Sequence, residues 1–340
     1  MVYILSMSSE RVQLEKSASH PYGINPDAVL QLVKSRAGLP APPAPTGRKL
    51  ALLVEGGGMR GVCSAGGLVA LDALGFRNSF DVIYATSAGA MNVAYMLAGQ
   101  AVFGIQIYYK EINNRKFIDF RRLNRVVDID YLFDRVVTQV RRLDTGKVLE
   151  SPSDFYVALI DKDSAESVVL RTKDCPEEIL ALFKATTALP VVYNKPVQIG
   201  SRRYIDGGLG SPVPLLHAIQ AGCTDLLVFL TRPPSYESPP PEWWERQLFS
   251  RLTASGNPEL QRMFDHGGEE TNMCRHICLG KMAPPRPVNI ATFSPAESDT
   301  LVTRLTTDAN RLKQSAVEMA LSTLRQFGGT PDLIDDLVRS

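Results

Sequence analysis

Leu50-Ala51-Leu52-Leu53-Val54-Glu55-Gly56-Gly57-Gly58-Met59-Arg60-Gly61 decides the fold. Five apolar residues in succession suit a strand buried on both faces. Three glycines end it, and residues 62–74 then read as a helix. Strand, glycine loop and helix repeat at once as a strand over 80–86 and a helix over 88–97. Further strands are expected at 155–161, 167–171, 195–205, 225–232 and 288–293. Helices fall between them, with long ones near 243–252 and 301–327. Alternation of this kind predicts an α/β fold of three layers, α/β/α, around a mostly parallel central sheet.

Outward from that core, residues 1–48 read as an N-terminal arm. It carries one short helix over 26–36 and the Pro-rich linker Leu39-Pro40-Ala41-Pro42-Pro43-Ala44-Pro45-Thr46-Gly47. One domain is expected over 49–327, its 231–327 portion a C-terminal helical cover, with 328–340 a tail. The chain has 340 residues, of which 44% are hydrophobic and 21% charged, which excludes disorder and fibrous repeats as the main state. Lys plus Arg number 37 and Asp plus Glu 36, so no global field collects nucleic acid, and no nucleic-acid partner is expected. Five scattered cysteines fit a reducing compartment rather than a disulfide scaffold. The start lacks a secretory pattern, and no run approaches the ~18 to 20 apolar residues of a spanning helix. The expectation is a soluble, cytoplasmic protein.

The glycine loop is the first chemical signal. Successive glycines leave several backbone N–H groups free to point at one anion, and the helix behind them adds its positive end. Gly56, Gly58 and Gly61 satisfy the dinucleotide spacing G-x-G-x-x-G. That fingerprint wants an acidic residue ~20 positions on, at the end of the next strand. Asp81 instead stands at the start of that strand. No Gly-Lys-Ser/Thr closes a P-loop either. What remains is the oxyanion of an acyl-transfer intermediate, or a purely structural turn.

The second signal is Ala85-Thr86-Ser87-Ala88-Gly89. Small residues around a serine between strand and helix are what a nucleophile elbow needs. The pattern departs from G-x-S-x-G at Ala85, one methyl larger. The plainer reading makes Ser87 a helix N-cap. Ser64-Ala65-Gly66 repeats the tripeptide inside the first helix, where the hydroxyl should pack rather than react. Asp206, in Tyr204-Ile205-Asp206-Gly207-Gly208, supplies a proton acceptor if burial raises its pKa. Its alternative is an Asp-Gly hairpin turn. The four histidines, His20, His217, His266 and His276, lack a recognisable catalytic context.

In this order the three motifs resemble the patatin-like phospholipase family, over about residues 49–231. The resemblance implies a patatin-like three-layer fold and a lipid acyl hydrolase with a Ser87–Asp206 dyad. It implies an oxyanion hole from the amides of Gly56, Gly57 and Gly58. Arg60 and Gly61 would support that loop, Ala85 and Gly89 flank the elbow, and Gly207 and Gly208 form the turn after the base. It implies no metal and no organic cofactor, and a lipid or acyl-ester substrate; a peripheral membrane contact is an expectation beside it. The rivals are a Ser-His-Asp esterase using His217, and a lipid-binding scaffold without turnover.

Three other stretches carry weaker signals. Cys274 and Cys278, with His266 upstream, lack zinc spacing and read as buried thiols. Lys110, Arg115, Lys116, Arg121, Arg122 and Arg125, interleaved with Phe117, Ile118 and Phe120, read as a solvated edge or a headgroup-binding patch. Trp243 and Trp244 read as core anchors or an interfacial lip.

Overall fold

The computed structural model describes residues 22, 24–43, 47–122, 125–193, 195–210, 212–254, 256–297 and 302–340. The arm's first 21 residues lie outside them, as do three positions of the Pro-rich linker, 44–46.

The central strands are β1 (Leu50–Val54), β2 (Val82–Thr86), β3 (Asp154–Asp161), β4 (Ser167–Arg171), β5 (Val197–Ile199), β6 (Arg202–Asp206), β7 (Asp225–Phe229) and β8 (Asn289–Phe293). β1 pairs in parallel with β2 and β7, β2 with β3, and β7 with β8. β4 and β6 run antiparallel to β3, and β5 pairs antiparallel with β6. The sheet is thus mixed and mostly parallel, between helices on both faces.

Every residue of β1 is buried, as a strand covered on both sides must be. Leu50, Leu52 and Val54 belong to one core and Ala51 and Leu53 to another. The first core lies under helices α1 (Pro26–Ser35), α2 (Gly61–Ala73), α3 (Ala88–Leu97) and the C-terminal helix Ala309–Phe327. The second is covered by helices Leu215–Gln220 and Pro258–Cys278. Burying each such aliphatic side chain contributes about 1.5–3 kcal/mol. The ends of the chain join in: Val29 and Val33 of α1, and Ile334 and Leu337 of the expected tail, are buried in the first core.

Two boundaries correct the expectations. The single strand expected over 195–205 is a hairpin, β5 and β6, turning at Gly200 with φ +56°. The Gly200-Ser201 pair is the local signal for it. The helix expected from 301 begins at Ala309, where the Asp308 carboxylate accepts from the amides of Asn310 and Arg311 at 3.0 and 3.2 Å. Asp308 is an ordinary N-cap, and the Thr- and Val-rich residues before it are poor helix formers. That difference frees residues 302–308 to cross the mouth of the site.

Register brings the key strand ends together. β3 pairs with both β2 and β4 over 156–158, and with both β4 and β6 at 159–160, so β2 and β6 share one edge of β3. β2 ends with Thr86 opposite Ala158, and β6 ends with Asp206 opposite Leu159. Two strands of opposite direction thus meet end to end along a common neighbour. Their next residues are forced into contact.

Candidate active site

Ser87 follows β2 at φ +53° and ψ −129°. A non-glycine residue pays strain for that conformation, and such strain marks the sharp strand-to-helix elbow. Ala85, buried on β2, accommodates the turn despite its extra methyl. Gly89 explains the close passage of α3: a Cβ there would stand 2.7 Å from the carbonyl oxygens of Val54 and Glu55. The Ser87 amide donates to Thr186 Oγ1 at 2.8 Å, and Thr186 donates to the Ala158 carbonyl at 2.7 Å. The elbow is thereby pinned to β3. Ser87 makes no side-chain cap, so the N-cap reading of its hydroxyl does not hold.

That hydroxyl donates instead to Asp206 Oδ2 at 2.8 Å. Asp206 Oδ1 accepts the Gly208 amide at 2.7 Å, so one carboxylate oxygen is fixed by the turn while the other faces the serine. The Asp-Gly-Gly segment is a single 3₁₀ turn, Gly207–Leu209, rather than a hairpin loop. Asp206 is fully buried, and burial pushes its carboxyl up to about 6, against the opposing pull of the Gly208 amide, Ser87 and Arg304. A carboxyl near 6 is a competent base at neutral pH.

The glycine loop lies opposite. The Gly56 amide donates to the Pro212 carbonyl at 3.3 Å, so it is engaged. This corrects the expected trio of donors: the amides of Gly57 and Gly58 remain without a protein acceptor among the described residues, as does that of Ala88 after the serine. Gly58 is in the left-handed region at φ +57°. A Cβ there would stand 2.9 Å from the Arg304 carbonyl, the same oxygen that accepts the Met59 amide at 3.1 Å. Behind the loop, the Gly61 carbonyl accepts from Asn92 Nδ2 at 2.7 Å, and Tyr108 donates to Asn92 Oδ1 at 2.9 Å. Arg60 is half-buried, its Nε enclosed, and it makes no ion pair among the described residues.

Gly57, Gly58, Ser87 and Asp206 line the head of one cavity of about 1010 Å³, its open mouth included. Its body is apolar, walled by Met91, Ile112, Phe117, Val127, Ile129 and Leu132. Arg304 and Leu305 stand beside the glycine loop.

His217 does not enter. It sits on the helix Leu215–Gln220, near the Ser167 backbone, and burial lowers its pKa. Ser64 donates to the Gly61 carbonyl at 3.0 Å inside α2, packed as expected. Cys274 and Cys278 are buried, and no group of metal-ligating side chains occurs among the described residues. In the basic stretch, Arg121 pairs with Asp119, Arg122 with Asp128, and Arg125 with Asp128 and Asp130. Those three charges are internally matched, whereas Lys110, Arg115 and Lys116 are exposed and make no ion pair among the described residues. Trp243 and Trp244 are 75% and 52% exposed, which overturns their reading as core anchors. Thr186, Asn92 and Arg304 were missed; the Asp308 cap would have revealed Arg304, and no sequence pattern marks the other two.

Comparison with known proteins places this geometry. The chain is 31% identical over 204 residues to the uncharacterized protein YjjU of Escherichia coli (strain K12). That match covers 58% of this chain and 56% of YjjU, so it spans little more than half of the relative. Among solved structures, VipD from Legionella pneumophila aligns over 87% of this chain and 80% of its own. With 12% identity and a TM-score of 0.35, that likeness says nothing about chemistry. A family model, patatin-like phospholipase, matches residues 52–219, a span that holds the glycine loop, the serine elbow and Asp206. Residues 52–219 of the chain form a patatin-like phospholipase domain.

Proposed function

We propose that the protein is a serine acyl hydrolase of lipid esters, with Ser87 as nucleophile and Asp206 as its base. The observation that carries this reading is the 2.8 Å hydrogen bond from Ser87 to a buried carboxylate at the head of an apolar cavity. Ser87 Oγ attacks the ester carbonyl carbon as its proton passes to Asp206 Oδ2. The carbonyl oxygen becomes an oxyanion facing the amides of Gly57 and Gly58. Collapse breaks the bond to the alcohol, which leaves with the proton from Asp206. Water then attacks the acyl-serine, giving its proton to Asp206, and the acid departs with Ser87 restored. The apolar body of the cavity suits the acyl chain. Contact with a bilayer would be peripheral, since no helix among the described residues is long and apolar enough to cross a membrane. Exposed Trp243, Trp244 and Phe120 are among the aromatic side chains available to such a surface.

A fluorophosphonate probe tests the assignment. The folded protein should be labelled once, on Ser87, and peptide mapping reads the position. Label on Ser64, or none on folded protein, refutes it.

The loop makes a second prediction. Gly58→Val forces a β-branched residue into a left-handed conformation and against the Arg304 carbonyl. The two amides should turn away from the oxyanion, and losing one such donor costs ~10²- to 10³-fold in rate. Steady-state hydrolysis of p-nitrophenyl butyrate measures it; an unaffected kcat means the loop serves another purpose.

A further inference from the structure

Beside the glycine loop, four guanidinium groups gather around very little negative charge. Arg60 ends the turn Gly58–Arg60, Arg232 lies just past β7, Arg275 is on the helix Pro258–Cys278, and Arg304 lines the cavity mouth. Glu55, buried at the end of β1, is the central acid, and its carboxylate is already occupied. It accepts from the amide and hydroxyl of Thr231, and Arg275 Nη1 stands 3.8 Å away. Arg275 is otherwise held by the carbonyls of Arg232 and Pro233.

Arg60, Arg232 and Arg304 have no such partner among the described residues. None makes an ion pair among the described residues. Arg60 Nε and Arg232 Nη1 are buried donors without an acceptor there. Arg232 is 7% exposed, and its one aromatic support is the Tyr236 ring, 3.7 Å from the guanidinium carbon. The three are also electrostatically close. Burial, then repulsion from Arg304, lowers Arg60 to about 10; burial, then repulsion from Arg60 and Arg304, lowers Arg232 to about 8. A buried charge such as Arg232, with cationic neighbours and a donor that lacks an acceptor among the described residues, is costly unless something compensates it. Arg304, exposed at the rim, gives access from solvent.

We propose that Arg60, Arg232 and Arg304, braced by Arg275, form a binding site for a phosphate group at the mouth of the acyl-ester cavity. A single carboxylate satisfies one guanidinium in bidentate fashion. A tetrahedral phosphate, with more acceptor oxygens and up to two charges, engages three. The position beside Gly57 and Gly58 fits the phosphate of a glycerophospholipid whose ester lies at Ser87, or a free phosphate held at the rim. The first source rests on the hydrolase reading above; the site itself does not.

Calorimetry on the full chain carrying Ser87→Ala, titrated with inorganic phosphate and with glycerol 3-phosphate, tests the site without any turnover. Saturable binding is expected, weakened about tenfold or more by Arg232→Gln, the loss typical of a hydrogen bond to a charged group. Should Arg232→Gln fail to fold, Arg304→Gln at the exposed rim takes its place. No saturable binding to the folded protein, or equal binding by the folded variant, overturns the proposal. In the active enzyme, a tenfold fall in kcat/KM on dioctanoylphosphatidylglycerol micelles, with p-nitrophenyl butyrate hydrolysis within twofold, assigns the phosphate to the substrate. An unchanged ratio with phosphate binding lost assigns it to free phosphate. Phosphate binding by a protein inactive on every ester would sink the hydrolase reading and leave the site standing.

Discussion

Ser87→Ala is expected to lower ester hydrolysis by ~10⁴- to 10⁶-fold, the loss seen when a serine nucleophile is removed. The substitution takes away one oxygen and leaves the elbow's backbone bonds, from Ser87 N to Thr186 and from Ala90 N to the Ser87 carbonyl, in place. Alanine at φ +53° carries strain that serine already carries, so the fold should not notice. Asp206 Oδ2 loses its donor, but a carboxyl near 6 can hold a proton there instead. Circular dichroism and melting temperature should match the parent while p-nitrophenyl butyrate turnover vanishes. Activity within a few-fold of the parent would remove Ser87 from the chemistry. The second hydroxyl in an identical Ser-Ala-Gly context makes the comparison sharp, since Ser64 is buried within α2 and bonded to Gly61.

The difference between those two serines was legible in the sequence, because only one follows a strand-length apolar run. So was the layered sheet, since β1 is apolar on every residue, β2 on all but Thr86, and both are short and followed by small residues. Local periodicity reports burial, and burial on both faces reports a parallel sheet. Position along the sheet edge was not legible. That β2 and β6 share one edge of β3 depends on which strands pair, and nothing in Thr86 or Asp206 encodes it. Pairing of Ser87 with Asp206 came from the family resemblance, not from spacing; they are 119 positions apart. The mouth was lost for a different reason. The apolar spacing of Leu301, Val302 and Leu305 carried the expected helix past the Asp308 cap, and with it past the turn that places Arg304 beside Gly58. The occupied Gly56 amide depends on Pro212, a loop carbonyl with no signature at all.

Asp206→Asn is expected to be as damaging as Ser87→Ala, and to make the protein more stable at neutral pH. An amide accepts no proton from serine, so attack loses its base. The stability effect follows from burial. The Asp206 carboxyl is raised from 3.8 to about 6, so the folded state binds this proton more tightly than the unfolded chain. Its stabilising contribution is present in full below about pH 4 and is lost as pH rises through 6. At pH 7 to 8 the buried carboxylate costs roughly 3 kcal/mol. Asparagine removes that charge and keeps an oxygen for the Gly208 amide. The variant should therefore melt higher than the parent at pH 8, with the gap closing toward pH 4. The same titration gives the parent's kcat/KM a rise with pH, falling about tenfold per unit below 6. A histidine triad would share the loss at Asp206, so His217→Ala separates the two mechanisms. In a dyad His217 lies outside the site, against the Ser167 backbone, and its removal should leave most of the rate. Folded His217→Ala without activity would overturn the dyad. An Asp206→Asn variant that keeps its rate would show that the 2.8 Å hydrogen bond is structural rather than catalytic.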